Sequence, residues 1–189
     1  MALIVQKYGG TSVGDINRIK NVAGRIARTY DQGNQVVVIL SAMSGVTDKL
    51  INTAEQITEF PDKREMDVLL ATGEQTTVAL MAMALKSMGY KAKSLLGFQA
   101  EILTDSQSSS ARILDIGATR LKELLAQDHI VIVAGFQGCD AQGDITTLGR
   151  GGSDTSAVAV ASGVGADQCE IYTDVDGVYT ADPNICKKA

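Results

Sequence analysis

Tryptophan is absent from this chain of 189 residues, and aromatic side chains make up only 4% of it. Single-stranded nucleic acid is commonly held on aromatic stacking platforms, so that function class lacks its main device here. Basic residues are not in excess either: 17 Lys and Arg stand against 22 Asp and Glu, a net charge of −5. Duplex binding depends on clustered Lys and Arg, and this balance argues against it. Cysteine is scarce. Cys139, Cys169 and Cys186 form neither a C-x-x-C pair nor an even set, which leaves no disulfide framework and no strong metal signature. They read as reduced thiols of a cytoplasmic protein. No apolar run approaches the roughly 18 residues that span a bilayer, and Met1–Val5 is too short for a signal sequence. Small molecules are therefore the expected partners, with neither nucleic acid nor membrane.

What is present alternates between strand and helix signals, with no repeat, low-complexity tract or linker. Ala2–Gln6 reads as a short strand ended by Gly9 and Gly10. Asp15 can cap a helix whose apolar positions Ile16, Ile19, Val22, Ala23, Ile26 and Ala27 recur at three and four. Gln35–Leu40 and His129–Ala134 are β-branched runs, typical of strands buried on both faces of a parallel sheet. His129, at the start of such a strand, reads as structural. Helices are expected over Asp48–Ile57, Asp67–Met88 and Ala111–Gln127, the second with Met81, Met83 and Met88 filling core or interface gaps. Lys91–Leu95 and Ala100–Leu103 read as a strand pair, Gly143–Leu148 as a weaker strand, Ala157–Gly163 as a small-residue helix and Glu170–Thr173 as another strand, with Asp176-Gly177 a turn before Val178–Thr180. The fold class expected is α/β: a three-layer αβα sandwich with a mostly parallel central sheet. Ligands in such sheets gather at the strand carboxyl ends.

Several motifs fall at those ends. Leu148-Gly-Arg-Gly-Gly-Ser-Asp-Thr-Ser156 places three glycines, an arginine and an aspartate at a loop-to-helix junction. Backbone N–H groups and the helix dipole favour an anion there, and the planar fork of Arg150 suits a carboxylate or phosphate. Lys7-Tyr-Gly-Gly10 ends the first strand, where glycines let backbone approach phosphate oxygens. It is not a P-loop, and no G-x-G-x-x-G opens the first helix. Ser41-Ala-Met-Ser-Gly45 and Thr47 supply hydroxyls that either cap the next helix or bind ligand. Glu74 lies in an otherwise apolar helix, where a carboxylate is either paired or functional, and a ligand ammonium would satisfy it. The turn around Asp174, Asp176 and Asp182 lacks the ligand count of an EF-hand. It reads as the border of a nucleotide pocket, with Tyr179 available to pack on a ring. Together these features suggest phosphoryl transfer to a zwitterionic acceptor.

The motifs resemble those of the aspartokinases within the amino-acid kinase family. The resemblance rests on Lys7-Tyr-Gly-Gly-Thr-Ser-Val-Gly14, Ser41-Ala-Met-Ser-Gly-Val-Thr47, Thr72-Gly-Glu-Gln75, Ala134-Gly-Phe-Gln-Gly138, Thr147-Leu-Gly-Arg-Gly-Gly-Ser-Asp154 and Thr173-Asp-Val-Asp-Gly-Val-Tyr-Thr-Ala-Asp-Pro183. They stand in family order and cover nearly the whole chain. The resemblance implies an amino-acid kinase (carbamate kinase-like) catalytic domain over residues 1–189. It implies transfer of the ATP γ-phosphoryl group, with Mg²⁺ bridging phosphates, to the side-chain carboxylate of L-aspartate. That step opens lysine, threonine, methionine and isoleucine synthesis. Lys7 would neutralise the transferring group and Asp154 would position Lys7. Ser41, Thr47, Glu74, Arg150, Gly151 and Ser153 would hold aspartate. Lys7, Tyr8, Gly9, Gly10, Thr173, Asp174, Tyr179 and Asp182 would line the nucleotide side, and no metal ligand is assigned. A homo-oligomer is implied for the full-length form.

The departures are at the carboxyl end. The family pattern continues after Asp-Pro with an arginine and an apolar stretch, whereas Pro183 is followed by Asn-Ile-Cys-Lys-Lys-Ala189. The expectation is a catalytic domain cut short, without ACT-type regulatory domains. The competing readings are a related kinase of glutamate, carbamate or acetylglutamate, and a catalytically weak aspartate-binding or subunit-pairing fragment. One point is independent of family: an aspartate carboxylate, pKa about 3.9, is already ionised at pH 7 and needs no general base.

Overall fold

A computed structural model describes residues 1–173. Nine strands and five α-helices alternate along them: β1 (Leu3–Tyr8), α1 (Ile16–Asp31), β2 (Gln35–Leu40), α2 (Val46–Glu55), α3 (Lys63–Ser87), β3 (Ala92–Leu95), β4 (Ile102–Thr104), β5 (Ile113–Ile116), α4 (Thr119–Ala126), β6 (Ile130–Ala134), β7 (Gln137–Cys139), β8 (Ile145–Thr147), α5 (Gly152–Val164) and β9 (Gln168–Tyr172). Short 3₁₀ turns occupy Gly10–Val13 and Phe98–Ala100.

The main sheet has the order β3-β6-β2-β1-β9, and every pairing in it is parallel. Its central strands β2 and β6 are apolar on both faces because helices cover both. Val36, Val38 and Leu40 face a cluster with Ile19, Ala23 and Ile26 of α1 and Val78, Met81 and Leu85 of α3. Val37 and Ile39 face the opposite cluster, with Leu121 and Leu125 of α4 and Ala157, Val160 and Val164 of α5. Each such valine, leucine, isoleucine or methionine contributes roughly 1.5–3 kcal/mol on burial, so strand order and face are strongly specified. The expected αβα layering holds.

Local signals set several boundaries. Asp15 caps α1, its carboxylate accepting the Arg18 N–H at 2.8 Å. Asp62 caps α3 in the same way, accepting from the Glu65 N–H at 3.1 Å, so α3 begins before the expected Asp67. By length and composition alone this helix could cross a membrane, a test that a core helix buried inside a globular protein also passes. Here it packs on α1, β3, β6 and β8. Met81 is buried in that packing, whereas Met83 and Met88 are exposed and fill no gap in this chain's core.

Three further expectations need correction. Ala111–Gln127 is not one helix: β5 and α4 are separated by Gly117 and by Ala118, whose φ is +51°. A helical pattern cannot pass through a left-handed residue. β3 and β4 do not pair. β4 instead joins a second sheet of order β5-β4-β7-β8, mostly antiparallel, which sits beside the glycine loop. Finally, α5 begins at Gly152, so Ser153 and Asp154 belong to its first turn.

Candidate active site

The carboxyl ends of β1 and β2, the turn Ser41–Gly45, α3 and the glycine loop before α5 enclose a cleft of 690 Å³. Lys7, Gly9, Gly10, Ser41, Thr47, Glu74, Arg150, Gly151, Ser153, Asp154 and Thr173 all line it. Residues spread over most of the chain thus converge where the topology of a parallel sheet places ligands.

Lys7 is the penultimate residue of β1 and is nearly buried, at 7% exposure. Its Nζ lies 2.7 Å from Oδ1 of Asp154, in the first turn of α5. A carboxylate at a helix N-terminus is itself favoured by the dipole, so the pair is braced from both sides. The ammonium also curls over Gly9, where an added Cβ would come within 3.4 Å of Nζ. Gly10 makes the closer approach: a Cβ there would meet the Ala42 carbonyl oxygen at 2.8 Å. Only glycine lets the β1 and β2 ends come together.

Gly73 does the same for α3. A Cβ at that position would lie 2.8 Å from the Cβ of Ala42, so its absence lets α3 seat against the Ser41–Met43 turn. That contact carries Glu74 into the cleft wall. Its Oε1 accepts the Ala42 N–H at 2.9 Å, while Oε2 has no hydrogen-bond partner among the described residues. Burial pushes the carboxyl up to about 7, with the Ala42 N–H opposing the shift. A cationic donor entering the cleft would complete this group.

The glycine loop is shaped by left-handed backbone at Gly149 (φ +78°) and Gly151 (φ +73°). The turn spends some of its own amides: the Gly152 N–H donates to Gly149 O, and the Asp154 N–H to Gly151 O. The outward N–H array expected from the sequence is correspondingly smaller. Ser153 packs on Gly135 at the end of β6, and Ser156, fully buried, accepts the Phe136 N–H and donates to Gly152 O. Arg150 is exposed and has no carboxylate within ion-pair distance among the described residues.

Not every expected residue reaches the cleft. Tyr8 alternates with Lys7 and so points to the other face of the sheet. Its ring is buried and stacks on Tyr172 with centroids 4.7 Å apart, and its hydroxyl donates to Oε1 of Gln6. Burial pushes that hydroxyl far above its ordinary pKa. The side chain of Tyr8 therefore offers nothing to a nucleotide in this cleft. Asp174, Asp176, Tyr179 and Asp182 lie outside the described residues. Conversely, Met43, Leu70 and Phe136 line the cleft without having been singled out. Phe136 carries a φ of +68°, uncommon for a bulky residue and characteristic of functional sites. Its signal was present in Gly135-Phe136-Gln137-Gly138, but nothing in that string announces a left-handed phenylalanine.

A parallel α/β sheet bearing a lysine–aspartate pair, a carboxyl group with one oxygen unpaired among the described residues and a guanidinium around one cleft defines an α/β protein built for a charged small ligand. The chain belongs to the amino acid kinase family, whose model matches residues 2–189. It is 56% identical over its whole length to an aspartokinase of Geobacillus stearothermophilus and to an aspartate kinase of Stutzerimonas stutzeri, covering 46% of each. The chain thus spans about half the length of these curated relatives. Among solved structures it is similar to the aspartate kinase of Synechocystis, with a TM-score of 0.81 and 50% identity over 99% of this chain and 31% of that one. It is also similar to aspartokinase III of E. coli in complex with aspartate and ADP, with a TM-score of 0.84 and 25% identity over 97% of this chain and 52% of that one.

Proposed function

We propose that this chain is the amino-terminal part of an aspartate kinase catalytic domain, which transfers the γ-phosphoryl group of ATP to the β-carboxylate of L-aspartate. The observation that carries this reading is the Lys7–Asp154 pair, 2.7 Å apart, in the same cleft as Glu74 and Arg150. An amino-acid acceptor needs an anion for its ammonium and a cation for its carboxylate, and the cleft offers both. Glu74 would take the ammonium, Arg150 the α-carboxylate, and the hydroxyls of Ser41, Thr47 and Ser153 the remaining acceptor oxygens.

Lys7 would lie beside the transferring group, where charge spreads over phosphate oxygens. Asp154 holds that lysine in place; the acceptor is already ionised at pH 7, so Asp154 has no proton to remove. Gly9, Gly10 and Thr173 would approach the phosphates. Magnesium would travel with the triphosphate, held chiefly by phosphate oxygens and water. Among the described residues no cluster of three acidic, histidine or cysteine side chains forms a cage for it. Assembly as a homo-oligomer in the cytoplasm would follow the same reading.

The test traps the product. Incubation with L-aspartate, ATP, Mg²⁺ and hydroxylamine should yield aspartyl hydroxamate, and glutamate or acetylglutamate in place of aspartate should not. Turnover of glutamate but not aspartate would overturn the substrate assignment. Calorimetric binding of aspartate without turnover would support an aspartate-binding module instead.

A further inference from the structure

Asp67 lies in the second turn of α3 and is completely buried, at 0% exposure. No Lys, Arg or His lies within ion-pair distance of it among the described residues. An isolated carboxylate in such a place is costly unless hydrogen bonds replace its water. They do. The Ser109 N–H lies 3.0 Å from Oδ1 and 2.9 Å from Oδ2, and the Ser109 hydroxyl lies 3.4 Å from Oδ1. The Thr147 hydroxyl donates to Oδ1 at 2.6 Å.

The donors explain why the carboxylate is there. Thr147 is the last residue of β8, two residues before Gly149 and three before Arg150. Its carbonyl accepts the Ala111 N–H at 2.9 Å, which ties the same point to the Thr104–Ala111 loop. Ser109, at φ +66°, is turned so that its carbonyl lies against Gly149, 3.4 Å from where a Cβ would stand. One buried anion therefore clamps both strands of chain that flank the foot of the glycine loop.

We propose that Asp67 is a positioning residue: through Thr147 and Ser109 it fixes the loop Leu148–Gly151 and so the place of the Arg150 guanidinium. Asp67 does not line the cleft and touches no ligand. The structural part stands on the hydrogen bonds alone; its consequence for ligand binding rests on the aspartate reading given above.

The experiment compares the wild-type chain with Asp67→Asn, Thr147→Val and Thr147→Ser. L-aspartate affinity is read by calorimetry, and hydrogen exchange by the amides of residues 149–152, both well below each melting temperature. Asp67→Asn and Thr147→Val should weaken aspartate binding about 10- to 100-fold and speed exchange in the loop, because a small misplacement of a binding group costs that much. Thr147→Ser keeps the hydroxyl and should stay within about twofold of wild type on the same reasoning. Should Asp67→Asn fail to fold, the Thr147 pair carries the comparison. Wild-type affinity in Thr147→Val, or equal losses in Thr147→Val and Thr147→Ser, would overturn the proposal. If the wild-type chain binds no aspartate, the functional reading fails, and loop exchange alone decides the positioning role: unchanged exchange would sink it.

Discussion

The two sides of the cleft are built differently. On one side β2 buries five of its six residues, and the Ser41–Met43 turn after it is held by Glu74 and by the close seating of Gly73 and Gly10. On the other side β9 has no fully buried residue, pairs only with β1 among the described strands, and leads to the exposed Thr173. Ser41 and Glu74, assigned to the amino acid, thus sit against the protein core, while Thr173, assigned to the nucleotide, follows a strand paired on one side only among the described residues. Geometry on the first side is fixed before any ligand arrives, and preorganisation of that kind lowers the cost of binding. The expectation is that this chain recognises aspartate more nearly as its longer relatives would than it recognises ATP.

The sharpest way to break that contrast is Lys7, assigned to the transferring group between the two ligands. Lys7→Met removes the ammonium over Gly9 and strands Asp154 without its partner. If Lys7 acts on the transferring phosphoryl group, hydroxamate formation should fall by about 10²- to 10³-fold, as for loss of one donor to transition-state charge. Aspartate affinity, measured by calorimetry, should change little. A large loss of aspartate affinity with turnover intact would move Lys7 to the amino-acid side.

Arg150 comes next. It is exposed and free of carboxylate partners among the described residues, so its removal disturbs no ion pair among them. Arg150→Ala should weaken aspartate binding roughly 10- to 100-fold, the worth of a charge-assisted hydrogen-bonded contact. Arg150→Lys should recover only part, because a point charge does not reproduce the planar fork. ATP affinity should be indifferent to both. An equal loss for both ligands would place the guanidinium between the two sides.

Much of this was legible in the residues. The runs Gln35–Leu40 and His129–Ala134 announced buried parallel strands, and Asp15 announced the start of α1, because burial on two faces and a cap each leave a local pattern. The convergence of Lys7, Arg150 and Asp154 followed from motifs at strand ends, and that of Glu74 from a carboxylate set in an otherwise apolar helix. What failed to show was long-range or conformational. Nothing local to Ala111–Gln127 reveals that Ala118, between β5 and α4, adopts positive φ. The second sheet was missed because strands of three or four residues carry too few alternations to read. Tyr8 was assigned to the nucleotide side by its place in a motif, and strand alternation turns its side chain to the face opposite Lys7. Asp67 was invisible as a clamp because its donors lie 42 and 80 residues away.

The smallest effect concerns Glu74 and tests why the core-borne side needs its ligand. Its carboxyl is pushed up to about 7 by burial, above its value in the unfolded chain. Between the ordinary carboxyl range and pH 7 the folded state keeps a proton that the unfolded chain has lost. Stability should therefore fall as pH rises through that window and level off above it. Glu74→Gln, with no proton to release, should lack this slope in thermal melts. Ligand binding should run the other way. An ammonium ion prefers the ionised carboxylate, so aspartate affinity in the wild type should rise about tenfold from pH 6 to pH 8, following the ionised fraction of a group titrating near 7. In Glu74→Gln the affinity should be lower and flat across the same range. A wild-type affinity that does not change with pH would mean that Glu74 is ionised before aspartate enters. The open side of its carboxyl group would then be answered by something other than the substrate ammonium.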